Sequence, residues 1–245
     1  MIMELFFASL LYQQGVDLYS QKKYPEAIAV LEKAVETEDA HDVEVNYLLG
    51  LAYLQTRDAD KAETAFARLF GMPANSAAAH LLTAELLLKR EYRKEALLEA
   101  QKALALDPKL PGTHFLLGQM ALFNGSLDEA MAEMSKELEI NPNFSMAWYR
   151  LWEILARQEK WQAAIANLER AIWLNADFSG PYIVLGRCYF KTGNYGNAEG
   201  VLRHALTLDP NNYAATNLLG QTLVAENKME EGRVLLEKLK GMERK

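Results

Sequence analysis

Apolar residues along this chain fall at spacings of three and four, stop at short polar interruptions, and resume at the same spacing. Residues 112–142, GTHFLLGQMALFNGSLDEAMAEMSKELEINP, show the unit: the apolar run holds through Phe123, breaks at Asn124-Gly125-Ser126, and restarts at Leu127, Ala130, Met131 and Met134. Such a pattern predicts a helix, a tight turn and a second helix. The unit then recurs. Its first run is centred on a small residue at Gly15, Gly50, Ala84, Gly118, Gly186 and Gly220, with Trp152 in the corresponding place of the fifth unit. The gaps between these anchors are 35 residues once and 34 thereafter. A second series follows twelve residues on, at Ala27, Ala62, Ala96, Ala130, Ala164, Ala198 and Gly232, and a third seven later, at Ala34, Leu69, Ala103, Glu137, Ala171, Ala205 and Leu239. The similar phrases LDPKLPGTHFLLG at 106–118 and LDPNNYAATNLLG at 208–220 lie three periods apart, so they mark joints between units rather than a duplicated site.

The punctuation agrees with the period. Asn124-Gly125, Gly193-Asn194 and Arg57-Asp58 stand where the first helix must turn, and Pro108, Pro142 and Pro210 close units where a missing N–H does no harm. Antiparallel helices approach closely only where facing side chains are small, so each anchor is expected to meet the Ala twelve residues later. Leu11, Trp148 and Tyr182, four before their anchors, and Leu18, Tyr53, Leu87, Leu155 and Tyr189, three after, are expected to fill the space between adjacent hairpins.

These residues resemble the tetratricopeptide repeat (TPR) family over nearly the whole chain, in seven units at about 8–42, 43–76, 77–110, 111–144, 145–178, 179–212 and 213–245. The resemblance implies an all-α fold, a right-handed superhelical solenoid of seven helix-turn-helix hairpins forming one domain over 1–245, with the first helix of each unit lining a concave face. Trp152 departs from the small anchor and requires the close contact of unit five to be rearranged. Asn46, His80, His114 and Thr216 occupy a position the family often fills with large apolar groups. The last segment, MEEGRVLLEKLKGMERK, is charged around one apolar stripe and reads as a solvated C-terminal cap.

Composition narrows the function. Half of the 245 residues are apolar, enough for a sizeable core, and a net charge of −7 disfavours nucleic acid and anionic lipid as partners. The single cysteine, Cys188, excludes an intramolecular disulfide and a Cys-rich zinc site, and its place beside core positions reads as a small buried hydrophobe. No apolar stretch reaches the length of a membrane span. The opening MIMELFFASLLYQQG lacks a basic n-region and is interrupted by Glu4, so it reads as the first helix rather than a signal peptide. A cytoplasmic location is expected, with a periplasmic or exported one left open.

Candidate chemistry is sparse. The histidines are His41, His80, His114 and His204; His80 and His114 lie one period apart, but the pattern offers no third ligand, so packing is expected and no metal site. GNYGNAEG at 193–200 follows a helix and lacks the Lys-Ser or Lys-Thr of a phosphate loop, so it reads as a turn. NGS at Asn124 and NFS at Asn143 match a glycosylation sequon but lie where turn chemistry favours the same residues. No serine, cysteine or carboxylate constellation nominates a catalytic residue, and nothing nominates a cofactor. The expected function is therefore a non-catalytic scaffold that binds a peptide or helix of another protein.

The family geometry implies which residues face that partner. Tyr12, Tyr19, Tyr47, Leu51, Leu81, Glu85, Phe115, Gln119 and Phe123 come from the first four units, and Tyr149, Arg150, Glu153, Ile183, Arg187, Phe190, Asn217 and Gln221 from the last three. The first group is more apolar and aromatic, the second more polar. Arg150, Arg157, Arg187 and Lys191 outnumber Glu153 there, although Arg157 and Lys191 end helices, where the helix dipole favours a cation whatever the function. Arg150 and Glu153 are three apart and could form a plain surface pair. A Lys, Asn and Arg set of the kind that grips chaperone tails in one TPR subclass is missing. A different reading makes the chain a self-association module, with the apolar start Ile2–Phe7 meeting a second copy.

Overall fold

The computed structural model describes residues 2–37 and 42–242, and side chains over 10–36 and 42–239. Among the described residues there are fourteen helices and no strand, so the period found in the sequence is the period of the fold. The chain divides into two compact lobes, Met1–Met120 and Ala121–Lys245. In the N-terminal lobe α1 (Ile2–Ser20), α2 (Tyr24–Thr37), α3 (Val43–Gln55), α4 (Ala59–Leu69), α5 (Ala77–Lys89) and α6 (Arg93–Leu106) form three hairpins, and α7 (Thr113–Phe123) follows. The C-terminal lobe contains α8 (Leu127–Ile140) and three hairpins built from α9 (Ser145–Arg157), α10 (Trp161–Leu174), α11 (Ser179–Lys191), α12 (Tyr195–Leu208), α13 (Tyr213–Ala225) and α14 (Met229–Met242). The lobe boundary lies within α7.

Local chemistry sets the helix ends. Asp42, Asp58, Ser76 and Asn212 accept the backbone N–H of Val45, Lys61, Ala79 and Ala215, satisfying donors that the first turn leaves unpaired. Pro108, Pro142 and Pro210 each take the second position of a turn closed by the N–H of Leu110, Phe144 and Asn212 onto the carbonyl of Asp107, Asn141 and Asp209. The turn inside each hairpin obeys a stricter rule. Lys22, Arg57, Glu91, Gly125, Glu159, Gly193 and Asn227, each seven residues after its anchor, all have positive φ. Only two of the seven are glycine, so five turns hold an L side chain in the left-handed region.

Packing refines the expected role of the anchors. A Cβ on Gly15, Gly50 or Gly186 would stand 2.5, 2.4 or 2.6 Å from Leu31, Phe66 or Leu202, the large residue sixteen positions on. The small residue at twelve faces the anchor's backbone instead: a Cβ on Gly232 would meet the Gly220 carbonyl oxygen at 2.8 Å. Phe66 and Leu202 are fully buried, each contributing roughly 2 kcal/mol of apolar burial. Trp152 leaves α9 at the same thirteen-residue length as α11 and α13. Its indole is half-buried against the core cluster that contains Leu155, Leu168 and Leu185, and the Arg187 guanidinium lies 5.9 Å from its ring centre.

Hydrogen bonds add to the apolar seams between hairpins. Tyr53 of α3 donates to Glu32 of α2, and Tyr189 of α11 to Glu169 of α10 at 2.8 Å, one pair in each lobe at the same register. Burial, then the bonded carboxylate, raises both phenol pKa values, that of Tyr189 to about 12.

Candidate functional site

First helices carry the residues picked out by the sequence, and their surroundings divide them into three groups. Leu51, Leu81 and Ile183 are under a tenth exposed and belong to the cores. Tyr12, Tyr19, Tyr47, Glu85, Phe115, Gln119, Tyr149, Arg150, Glu153, Phe190 and Asn217 are half-buried. Phe123, Arg187 and Gln221 are exposed, Phe123 at 63 %.

In the N-terminal lobe Tyr19 and Tyr47 belong to one tyrosine cluster. The Tyr19 ring meets Tyr24 edge-on at 5.3 Å, and Arg90 lies 5.2 Å from the centre of the Tyr47 ring. Burial, then the neighbouring phenols Tyr92, Tyr24 and Tyr47, pushes the Tyr19 pKa up to about 12. Gln55 donates to the Tyr92 hydroxyl at 2.6 Å. Sequence reasoning missed Tyr24 and Tyr92 because neither lies on a first helix. Both stand nine positions after an anchor or one short of it, a register at which Tyr195 also falls, and that recurrence was the available signal.

In the C-terminal lobe four of the nominated residues converge. Arg187 and Phe190 of α11, with Asn217 and Gln221 of α13, line a cavity of about 320 Å³ that Lys191, Tyr213, Ala214 and Leu218 complete. The Gln221 amide donates to Asn217 Oδ1 at 3.1 Å, which orients both amides. Phe190 meets Tyr195 at 5.4 Å between ring centres. Neither Arg187 nor Lys191 forms an ion pair among the described residues, so both charges remain available. Lys191, set aside in the sequence because it ends a helix, shares this cavity with Arg187.

Two expectations about neighbouring charges change. Glu153 pairs with Arg157 four residues on, at 2.7 Å, rather than with Arg150. Arg150 instead lies over its neighbour Tyr149, 5.7 Å from the ring centre, and Tyr149 meets Phe178 edge-on at 5.2 Å. Cys188 is fully buried, and burial pushes its thiol up to about 11 against the opposing pull of Arg187, so a thiolate nucleophile is disfavoured.

The histidines separate as well. His80 and His114 are both buried, while the His204 ring meets Tyr182 at a tilt, 4.5 Å between ring centres, and His41 lies outside the described residues. His80 is flanked by two carboxylates from second helices, Glu63 and Glu99. The ligand-type groups gathered around His80 are thus these carboxylates rather than His114.

No helix among the described residues is long and apolar enough to cross a membrane. The side chains of Ile2–Phe7 lie outside the described ones, although their backbone belongs to α1.

Comparison with solved structures places the fold. A chain of the APC/C hetero-tetramer Cut9–Hcn1 matches with TM-score 0.61 at 18 % identity, covering 88 % of this chain and 42 % of that one. This chain therefore spans less than half of that relative's length. A crystal structure of the MamA protein matches with TM-score 0.59 at 21 % identity, covering 66 % and 89 % of the two chains. MamA from Desulfovibrio magneticus RS-1 matches with TM-score 0.62 at 21 % identity, covering 69 % and 95 %. At these identities the likeness is one of fold. No curated protein sequence matches the chain significantly. Tetratricopeptide repeat profiles match residues 18–86 and 192–245, and a second such profile matches 149–213. With those matches over more than half of its length, and a helical hairpin repeating at the same period, the chain belongs to the tetratricopeptide repeat family.

Proposed function

We propose that the chain is a non-catalytic scaffold for another protein, and that its C-terminal lobe holds a segment of that partner between α11 and α13. The observation that carries this reading is the convergence of Arg187, Phe190, Lys191, Tyr213, Asn217 and Gln221 on one cavity of about 320 Å³. The chemistry suits a peptide. Arg187 and Lys191 attract a carboxylate, the Asn217 and Gln221 amides can hydrogen-bond a peptide backbone, and Phe190 and Tyr213 offer faces to an apolar or aromatic side chain. Two unpaired cations on a chain of net charge −7 favour an acidic segment there and steer its approach. TPR proteins are generally scaffolds without catalysis, and the inert Cys188 thiol is in keeping with that. Tyr149, Arg150 and Glu153 on α9 extend the contact set in this lobe, with Tyr12, Tyr19, Tyr47, Glu85, Phe115 and Gln119 its counterparts in the other. Leu51, Leu81 and Ile183 support those helices from within.

Selection of displayed peptides on the intact chain tests this. Acidic peptides carrying an aromatic or large apolar residue are expected to be enriched. Arg187→Glu combined with Lys191→Glu is expected to abolish their binding while the far-ultraviolet helical signal is unchanged. Enrichment of nothing, or equal binding by the double variant, would overturn the proposal.

A further inference from the structure

Between the second and third hairpins of the N-terminal lobe, away from the proposed peptide cavity, four ionisable side chains form a closed cluster. They are Glu63 on α4, His80 on α5, and Glu99 and Lys102 on α6. His80 is 4 % and Glu99 7 % exposed. His80 Nδ1 stands 2.7 Å from Glu99 Oε2, and Nε2 stands 3.5 Å from Glu63 Oε1. The remaining oxygens, Glu63 Oε2 and Glu99 Oε1, accept from Lys102 Nζ at 2.6 and 2.9 Å. One ligand atom from each of Glu63, His80 and Glu99 lies within 4.8 Å of the other two.

We propose that Glu63, His80 and Glu99 bind a divalent transition-metal ion of the zinc class, displacing the Lys102 ammonium from the two carboxylates. An imidazole nitrogen with two carboxylate oxygens suits zinc, cobalt or nickel, whereas calcium and magnesium prefer oxygen alone. The three ligands are held by three helices, so the site is largely formed before the ion arrives. Lys102 differs from them: its side chain is 43 % exposed on a flexible stem and can turn out to solvent. Its ammonium already occupies a cation's position between the two carboxylates. Burial works against its charge, yet the hydrogen bonds to Glu63 and Glu99 raise its pKa overall. A divalent ion held by the same two carboxylates supplies twice that charge and cancels both.

One nitrogen of the His80 ring and one oxygen from each of Glu63 and Glu99 make up the ligand set. Three protein ligands leave a fourth position to water, and a cavity of about 460 Å³ lined by Glu63, Glu99, Lys102, Phe66 and Leu87 adjoins the cluster to admit it. The repeat register sets this joint apart from the others. Unit four carries His114, Glu133 and Lys136 at the places of His80, Glu99 and Lys102, but the unit before it has Leu97 at that of Glu63. Unit six carries Glu199 at the place of Glu63, but Thr216 follows where His80 would be. An ion here would tie the second hairpin to the third.

Cobalt titration of the chelator-treated intact chain, with zinc as competitor, tests the proposal. Expected are visible d–d absorption saturating at one equivalent, its loss on adding zinc, and a higher melting temperature with either metal. His80→Asn is expected to remove the absorption, and Glu63→Gln to weaken binding about tenfold or more. Lys102→Met removes the competing ammonium and is expected to tighten binding about tenfold or more, which a merely structural ion cluster would not do. If His80→Asn does not fold, Glu63→Gln and Lys102→Met decide the matter, each checked by its helical signal. Absence of the band in both the parent and Lys102→Met overturns the proposal. So does a band unchanged in Glu63→Gln, which would place the cobalt on other histidines.

Discussion

The charge networks at two of the joints between hairpins differ in depth. The joint between units two and three buries His80 and Glu99 behind a half-exposed Lys102. At the joint of units six and seven, Glu199 is bonded by Arg203 and Lys228, with Glu231 on Arg203 and Glu226 on Lys228. Glu63 and Glu199 occupy the same place in their repeats. What differs is the partner from the next hairpin: the short, ring-shaped His80 arises inside the seam, whereas Lys228 arises at a turn and keeps its stem in solvent. The same repeat position thus yields a buried cluster in one lobe and a surface one in the other. The neighbour it meets decides which.

Deleting one carboxylate at each joint gives the sharpest contrast. Glu99→Leu leaves His80 and Lys102 to share one carboxylate in a buried setting and is expected to cost on the order of 3 kcal/mol. Glu199→Leu is expected to cost about 1 kcal/mol or less, because Arg203 and Lys228 return to water. Urea unfolding followed by circular dichroism measures both. Equal costs would break the distinction of depth. Packing, by contrast, is expected to be the same in the two lobes. Gly50→Ala and Gly186→Ala press a methyl group into Phe66 and Leu202, and each is expected to cost about 1–3 kcal/mol. All four tryptophans, Trp148, Trp152, Trp161 and Trp173, lie in the C-terminal lobe, so their fluorescence reports the second substitution there directly.

Acid sharpens the picture of the exposed network. Hydrogen bonds from Lys228 and Arg203 hold the Glu199 carboxyl at about 2, below its ordinary value of 4.5. A depressed carboxyl stabilises the fold fully above its unfolded value, and the contribution is lost as pH falls from about 4.5 to about 2. With Arg203 and Lys228 each nearly half exposed, water screens the effect to on the order of 1 kcal/mol. Glu199→Gln is expected to flatten that part of the acid limb in tryptophan-monitored urea unfolding at successive pH values. An unaltered limb would show that the network adds nothing to stability.

The hairpin period was plain in the sequence because a glycine or alanine at the anchor is a steric requirement, one that recurs in every unit but the fifth, where Trp152 stands. The close contact with the residue twelve on is present where Gly220 meets Gly232, but the large partner sixteen on was not foreseen. Twelve residues on is the small side chain that a pattern shows, whereas Phe66 and Leu202, sixteen on, are large residues among many. Arg187, Phe190, Asn217 and Gln221 could be read one by one from their register on first helices. Their meeting with Lys191 and Tyr213 could not, since it depends on the pairing of α11 with α13. Glu63 and Glu99 were missed because second helices were read only for their small residues. Charges there resemble solvated surface until a neighbouring hairpin covers them.

The smallest expected effects lie in the turns beside the two joints, where Glu91 has φ 66° and Asn227 φ 64°. An L side chain in the left-handed region costs about 1–2 kcal/mol, while glycine loses more backbone entropy on folding, roughly 0.5–1 kcal/mol. Glu91→Gly is therefore expected to stabilise the N-terminal lobe by about 0.5 kcal/mol. Asn227→Gly is expected to change stability by only a few tenths, because asparagine tolerates this region. Gly125 and Gly193 show that the same turn already accepts glycine elsewhere in the chain. Urea midpoints measured by circular dichroism separate the two sites. A larger gain at Asn227 than at Glu91 would mean that the lobes differ in turn geometry as well as in charge.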